Sequence, residues 1–211
     1  MSAEARLRER LALHGRSLHE RGLSPGSSGN LSARLDDGLL VTPTNSCLGR
    51  LDPERISRVD GDGQHLAGDA PSKEAFLHLA VYRERPEAGA VVHLHSTHAV
   101  ALSCLADVDP ADVLPPITPY CVMKVGRLPL VPYHRPGDRT LAEAVAARAR
   151  DHRSVLLASH GPVVSGRDLD AAVSAAEELE ETARLFFLLR GSATRLLTDE
   201  QVRDLQQAFP S

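Results

Sequence analysis

Two apolar runs in this chain each end in histidine. Ala90-Val91-Val92-His93-Leu94-His95 closes on a His-x-His pair, and Val155-Leu156-Leu157-Ala158-Ser159-His160-Gly161 closes on a third imidazole followed by glycine. Runs this short and this rich in Val and Leu read as buried strands, and alternation along the first places His93 and His95 on one face. A sheet that brings both strand ends to one place gathers three neutral nitrogens. That is the donor set a borderline cation such as Zn²⁺ binds at about 2.0–2.1 Å, with a position left open for substrate. A His-x-His pair alone is equally compatible with two structural histidines. The matching His160, with a glycine beside it that leaves room, turns the reading towards a metalloenzyme.

With 211 residues, 42% of them apolar and 25% charged, the chain can bury one substantial core. It carries no internal repeat and no low-complexity linker, so residues 1–211 read as a single domain. Net charge is −4 (24 basic against 28 acidic), with no basic block and no Trp, which argues against nucleic acid or an anionic membrane as partner. No stretch reaches the roughly 18 consecutive apolar residues of a membrane span. The start, Met1-Ser2-Ala3-Glu4-Ala5-Arg6, lacks the hydrophobic core of a signal peptide, so a cytoplasmic protein is expected. Cys47, Cys104 and Cys121 are odd in number without any C-x-x-C spacing, which suits reduced thiols better than disulfides or a structural zinc site.

Periodicity predicts a helix over 4–21 that stops at Gly22, and strands over 31–35 and 39–42 joined by Asp36-Asp37-Gly38. A short strand over 56–59 precedes the turn Asp60-Gly61-Asp62-Gly63. Pro71 opens a helix to about residue 85, with Ala75, Phe76, Leu79 and Ala80 as its core stripe. Strand 90–95, a helix over 96–105 and a Pro-rich loop over 109–119 follow. Further strands are expected over 122–125 and 128–131, then a helix over 140–150 and strand 155–159. A last long helix runs from Asp168, its N-cap, to Arg190 before Gly191. Strands paired by hairpins, with helices interspersed, make an α/β protein whose mixed, largely antiparallel sheet is covered by helices.

Three segments supply donors for an anion. Pro25-Gly26-Ser27-Ser28-Gly29-Asn30 packs small residues, hydroxyls and an amide into one tight loop, whose exposed N–H groups form a concavity for negative charge. Thr42-Pro43-Thr44-Asn45 and Ser72-Lys73 at a helix start add to it. Each alone is an ordinary turn or cap; three beside a metal site point to a phosphate pocket, of neither the Walker nor the dinucleotide kind. Glu74, in the first helical turn, reads by itself as a carboxylate placed for the helix dipole. Lys73 adjoins hydroxyls rather than an apolar pocket that would depress its pKa, which disfavours a Schiff base. His98 reads as a packing residue behind the cluster. His14, His19, His65, His78 and His152 read as surface or interface residues, and Tyr120 as ordinary core.

Gly29-Asn30-Leu31-Ser32, Thr42-Pro43-Thr44, Pro71-Ser72-Lys73-Glu74, His93-Leu94-His95-Ser96 and His160-Gly161, in this order from about residue 5 to 190, resemble the class II aldolase/adducin family. The resemblance implies an α/β/α sandwich with a central, mostly antiparallel sheet, in homotetramers with the active site at a subunit interface. It implies that His93, His95 and His160 bind the metal, Zn²⁺ foremost and Mn²⁺ as the alternative. Glu74 would be the catalytic acid/base, and Tyr120 a proton donor contributed by a neighbouring subunit. Ser27, Asn30, Thr44 and Ser72 would hold phosphate. Adducin-type members lose the metal histidines; all three stand here, as in an enzyme.

Within the family, Val108-Asp109-Pro110, Thr118-Pro119-Tyr120 and the segment Val125-Gly126-Arg127-Leu128-Pro129-Leu130-Val131-Pro132-Tyr133 are similar to the 3-oxo-tetronate 4-phosphate decarboxylases. Lys73 stands where sugar-phosphate aldolases of the family carry a second serine, and puts a cation where a substrate carboxylate needs holding. The implied reaction is loss of CO₂ from a 3-oxo-tetronate 4-phosphate through a metal-stabilised enediolate, giving dihydroxyacetone phosphate. The alternative is a class II aldolase of the fuculose-phosphate kind, which reaches the same enediolate by losing an aldehyde from a ketose 1-phosphate.

Overall fold

The computed structural model describes residues 2–135 and 137–209; Met1, Pro136, Pro210 and Ser211 lie outside the described residues. Its frame is an eight-stranded sheet: β1 (Asn30–Leu35), β2 (Gly38–Val41), β3 (Ser57–Asp60), β4 (His65–Ala67), β5 (Ala90–His93), β6 (Leu130–Val131), β7 (Ser154–Leu157) and β8 (Gly161–Gly166). The strand order is β4-β3-β2-β1-β5-β8-β7-β6. Every neighbouring pair is antiparallel except β6 with β7.

Alternation along the strands sorts side chains into two layers. Leu31, Ala33, Leu40, Ala90, Val92, Leu156 and Val164 face one core, closed by α1 (Ala3–Glu20), α3 (Thr97–Ser103) and α5 (Leu169–Leu189). Leu39, Val41, Val59, Val91, Val155, Leu157 and Val163 face the other, closed by α2 (Ala75–Glu84) and α4 (Arg139–Ala149). This is the expected α/β/α sandwich. The parity that sends Leu31 and Val92 to the first layer sends Asn30, Ser32 and His93 to the α2 side, where the site is built. Among the described residues no helix is long and apolar enough to cross a membrane.

Helix ends follow local chemistry. Asp168 accepts from the Ala171 N–H to start α5, Asp138 accepts from Thr140 to start α4, and Gly22, at φ +77°, follows the end of α1. The helix expected from Pro71 starts four residues later, at Ala75. The Ser72 N–H donates to the Thr42 carbonyl and the Thr44 N–H to that of Ala70, with Pro43 and Pro71 bridged between them, which holds 70–72 extended against the end of β2. Glu74 thereby becomes the cap residue rather than part of the first turn.

The strand expected over 122–125 is not one. Cys121–Val125 form a single wide helical turn packed on α5, closed by the Gly126 N–H donating to the Cys121 carbonyl with Gly126 at φ +72°. The β-branched Val122 and Val125 are buried as a helical turn can bury them, and their strand propensity is overridden. Of 128–131 only Leu130–Val131 pairs. Strands β4 and β8 and the helix α6 (Asp199–Ala208) were not anticipated.

Gly161, at φ +152°, begins β8 where a Cβ would lie 2.3 Å from the Leu94 carbonyl oxygen. Gly161→Ala combines that overlap with an unfavourable backbone conformation, and should destabilise the protein by on the order of 1–3 kcal/mol in urea unfolding. A midpoint like that of the parent would show that β8 does not need this approach.

Candidate metal centre

Three segments deliver the four side chains of the site. β5 ends at His93, whose Nδ1 lies 2.9 Å from the Pro162 carbonyl. A carbonyl only accepts, so Nδ1 carries the hydrogen and Nε2 presents its lone pair. The chain leaves the sheet at Leu94 and delivers His95, and the rings of His93 and His95 lie 4.9 Å apart edge to face. The β7–β8 connection turns through Ser159 at φ +56° and delivers His160, 4.8 Å from each of the other two rings. Glu74 enters from the start of α2, its N–H held by the Ser72 hydroxyl at 3.2 Å.

The ligand atoms of Glu74, His93, His95 and His160 all lie within 4.8 Å of one another. His93 and His95 approach at 3.1 Å between their Nε2 atoms, His160 Nε2 is 3.3 Å from Glu74 Oε1, and His93 Nε2 is 3.4 Å from Glu74 Oε2. Four ligands around a tetrahedral zinc at about 2.0–2.1 Å stand roughly 3.4 Å apart. The donor set fits a divalent ion, and the three short separations are close to that spacing.

The electrostatics point the same way. Burial lowers the pKa of His93, against the pull of Glu74, and lowers that of His95 to about 4 with help from the other two histidines. Burial also opposes ionisation of Glu74. Its hydrogen bonds with His160 and Asn30, and the field of His93, outweigh this and hold the carboxyl far below the usual range. At neutral pH His93 and His95 are held neutral beside an ionised Glu74.

Glu74, His95 and His160 line a broad cleft of about 570 Å³ with Thr97, Val100 and Ser159. α3 begins beside it, and Glu180 from α5 accepts from the His98 and Ala99 N–H groups at 2.9 Å each. A carboxylate from the opposite helix thus caps α3 and fixes the path of the chain just after His95. His98 bonds the same Glu180 at 2.8 Å and is not among the four clustered ligand residues.

The matched model, Class II Aldolase and Adducin N-terminal domain, covers residues 9–187. The chain belongs to the class II aldolase and adducin family. It is 52% identical over 206 residues to the 3-oxo-tetronate 4-phosphate decarboxylase of Pectobacterium atrosepticum, covering 97% of this chain and 94% of that one. The crystal structure of YgbL from Escherichia coli, 50% identical, superposes with a TM-score of 0.95 over 97% of this chain and all of the other. The L-fuculose phosphate aldolase of Haemophilus influenzae is 40% identical over 186 residues, 86% of this chain and 83% of its own.

The remaining residues expected in a class II aldolase site fall in three places. Ser27 is exposed at the rim of a cleft of about 380 Å³ with Gly26, Asn45 and Arg50, and Thr44 lines an adjoining one of about 280 Å³ that shares Arg50. Ser72 and the exposed Lys73 precede Glu74 directly. Asn30 is buried and donates to Glu74 Oε2 at 2.8 Å. Tyr120 is 58% exposed, against its reading as core, with the Lys124 ammonium 5.6 Å from its ring centroid, and it does not line the cleft of the histidines.

Arg50 and Glu180 were missed: one is a lone arginine in a loop, the other one of several acids on a long helix. His78 is a correction. Expected at the surface, it is fully buried, because α2 is covered on nearly every side and the apolar stripe of 75, 76, 79 and 80 is not its only inner face. Its pKa falls to about 3 through burial and the field of His93.

His78, His93 and His95 each have a folded-state pKa below that of an unfolded histidine, so the unfolded chain takes up protons first as pH falls. Their contribution is fully present above about pH 6.5 and is lost as pH drops below it. The urea midpoint of metal-free protein should therefore fall between about pH 7.5 and 5. An unchanged midpoint would mean these imidazoles are not held neutral.

Proposed function

We propose that this protein is a metal-dependent carbon–carbon lyase that decarboxylates a 3-oxo-tetronate 4-phosphate to dihydroxyacetone phosphate and CO₂. The observation that carries the reading is the Glu74–His93–His95–His160 constellation in a chain alike, over nearly its full length, to decarboxylases of that name. A divalent ion held there, Zn²⁺ first and Mn²⁺ second, supplies a Lewis acid for the oxyanion charge that develops as the bond to CO₂ breaks. Glu74, ionised at rest, handles the proton of the substrate hydroxyl and returns one to the carbon that CO₂ leaves.

Ser27, Thr44, Ser72 and Asn30, which keeps one amide hydrogen beyond its bond to Glu74, hold the phosphate. Lys73 holds the carboxylate. Tyr120, exposed and away from the cleft of its own chain, donates a proton into a neighbouring copy's site, in a cytoplasmic homotetramer of single-domain chains. The fuculose-phosphate aldolase at 40% identity supports a second reading, aldol cleavage of a ketose 1-phosphate at the same constellation.

Purified, metal-loaded protein given a 3-oxo-tetronate 4-phosphate should release CO₂ and dihydroxyacetone phosphate. Turnover of ketose 1-phosphates alone would select the aldolase instead. His95→Ala should lose the metal. Glu74→Gln should keep it through three imidazoles, though more weakly, and lose about 100-fold or more in kcat. A near-normal rate for Glu74→Gln removes Glu74 from the chemistry.

A further inference from the structure

Behind Glu74 and Asn30 runs a line of buried polar side chains, His78, Ser32 and Tyr82, that the proposed reaction does not use. Asn30 Oδ1 lies 2.5 Å from His78 Nε2, His78 Nδ1 lies 2.7 Å from Ser32 Oγ, and Ser32 Oγ lies 2.8 Å from the Tyr82 hydroxyl. The Arg34 guanidinium stacks on the Tyr82 ring at 4.5 Å. The line has a geometric origin. Glu74, His78 and Tyr82 are four apart on one side of α2, and Asn30 and Ser32 are two apart on one face of β1. Four helical residues rise about 6 Å and two strand residues about 6.6 Å, so the two rows mesh alternately.

The direction of every bond in the line is determined. Ionised Glu74 can only accept, so Asn30 turns its NH₂ to Oε2 and its carbonyl oxygen to His78. That oxygen needs a donor, so His78 carries its hydrogen on Nε2 and accepts at Nδ1. Ser32 must then donate to His78, and Tyr82 to Ser32. A reversal at any link leaves two acceptors or two donors face to face in a dry interior, a cost on the order of 1–3 kcal/mol. Released from His78, the Asn30 amide could rotate and present its oxygen to the Glu74 carboxylate.

We propose that His78 is a positioning residue: with Ser32 and Tyr82 behind it, it locks Asn30 so that one N–H holds Glu74 Oε2 and aims the carboxylate at the three imidazoles. This rests on the reading of Glu74 as the proton-handling carboxylate. Its alternative is a polar network that supports the fold and nothing else.

The test is a cycle of His78→Leu, His78→Gln and Glu74→Gln, read by Zn²⁺ affinity of metal-free protein and by kcat and KM of the loaded enzyme. His78→Leu should lower Zn²⁺ affinity and kcat by about 10–100-fold each, with KM within about threefold. His78→Gln, which can still donate to Asn30, should recover most of both. In the Glu74→Gln background His78→Leu should cost no further affinity, because the group it aims is gone. Equal losses in both backgrounds, or no recovery with glutamine, would overturn the proposal and leave a fold element.

If Glu74→Gln alone keeps its rate, the reading of Glu74 fails, yet the affinity cycle still decides whether His78 acts through it. Should His78→Leu fail to fold, Ser32→Ala replaces it. Loss of the donor that sets the His78 tautomer should lower affinity and kcat by about 3–10-fold, a fraction of the full effect, and unchanged values would overturn the proposal.

Discussion

One carbonyl oxygen organises the site. Pro162 O receives the imidazole N–H of His93 at 2.9 Å and the backbone N–H of Leu94 at 3.3 Å, at the point where β5 leaves the sheet. The first bond sets the tautomer and ring orientation of His93; the second sets where the β7–β8 hairpin stands relative to β5. With His93 opposite Val163 in the register, the turn residue His160 has no choice but to lie beside the His-x-His pair. Proline is ordinarily excluded from central strands because it lacks a donor. Here its nitrogen faces the same side as its carbonyl, towards Leu94, just beyond the last β5–β8 pair, so the missing donor falls at the end of the ladder.

Burial then suits the cluster to a dication better than to protons. Imidazoles that titrated normally would compete with a metal ion below neutrality; desolvation of His93 and His95 moves that competition to lower pH. The same burial opposes the charge on Glu74. Its neighbours His160, His93 and Asn30 keep it charged, so the cleft holds a carboxylate among the imidazoles. The acid lability of the metal-free fold is the other face of this arrangement.

Much of this was legible because histidines at strand ends are chemically marked and because period-2 alternation assigns faces without knowledge of the partners. α5 was legible through Asp168 and an uninterrupted apolar stripe. What escaped depended on contacts distant in sequence. The late start of α2 comes from the pairing of 70–72 with 42–44, and no local signal at Pro71 contains it. The turn at Cys121–Val125 follows from packing on α5, against the strand preference of its valines. β8 was hidden by the Gly161-Pro162 pair, which reads as punctuation. By contrast α6 had a readable start, since Thr198 and Gln201 form a reciprocal cap at the head of a largely polar helix. His78 was misplaced because a stripe argument assumes one buried face, and α2 has little exposed face at all.

The α2–β1 interface is where His78 and its neighbours depart from ordinary core packing. Between two apolar layers this fold could have placed Leu or Val at 30, 32, 78 and 82, and apolar residues of similar volume are commonly as stable as a satisfied polar row or more so. A polar row in that position is tolerable only when every member is paired, which is the state found. What apolar packing cannot do is transmit orientation: a leucine against Glu74 would confine it sterically, while an amide fixed at its far end selects one carboxylate oxygen and one rotamer. Under the proposed function rotamer precision matters most at Glu74, because its oxygen would serve both a cation and a proton. The row is also seated on β1, where Ser32 stands opposite Val91 of the central strand β5. An orientation referenced to the strand that carries His93 is referenced to the site itself.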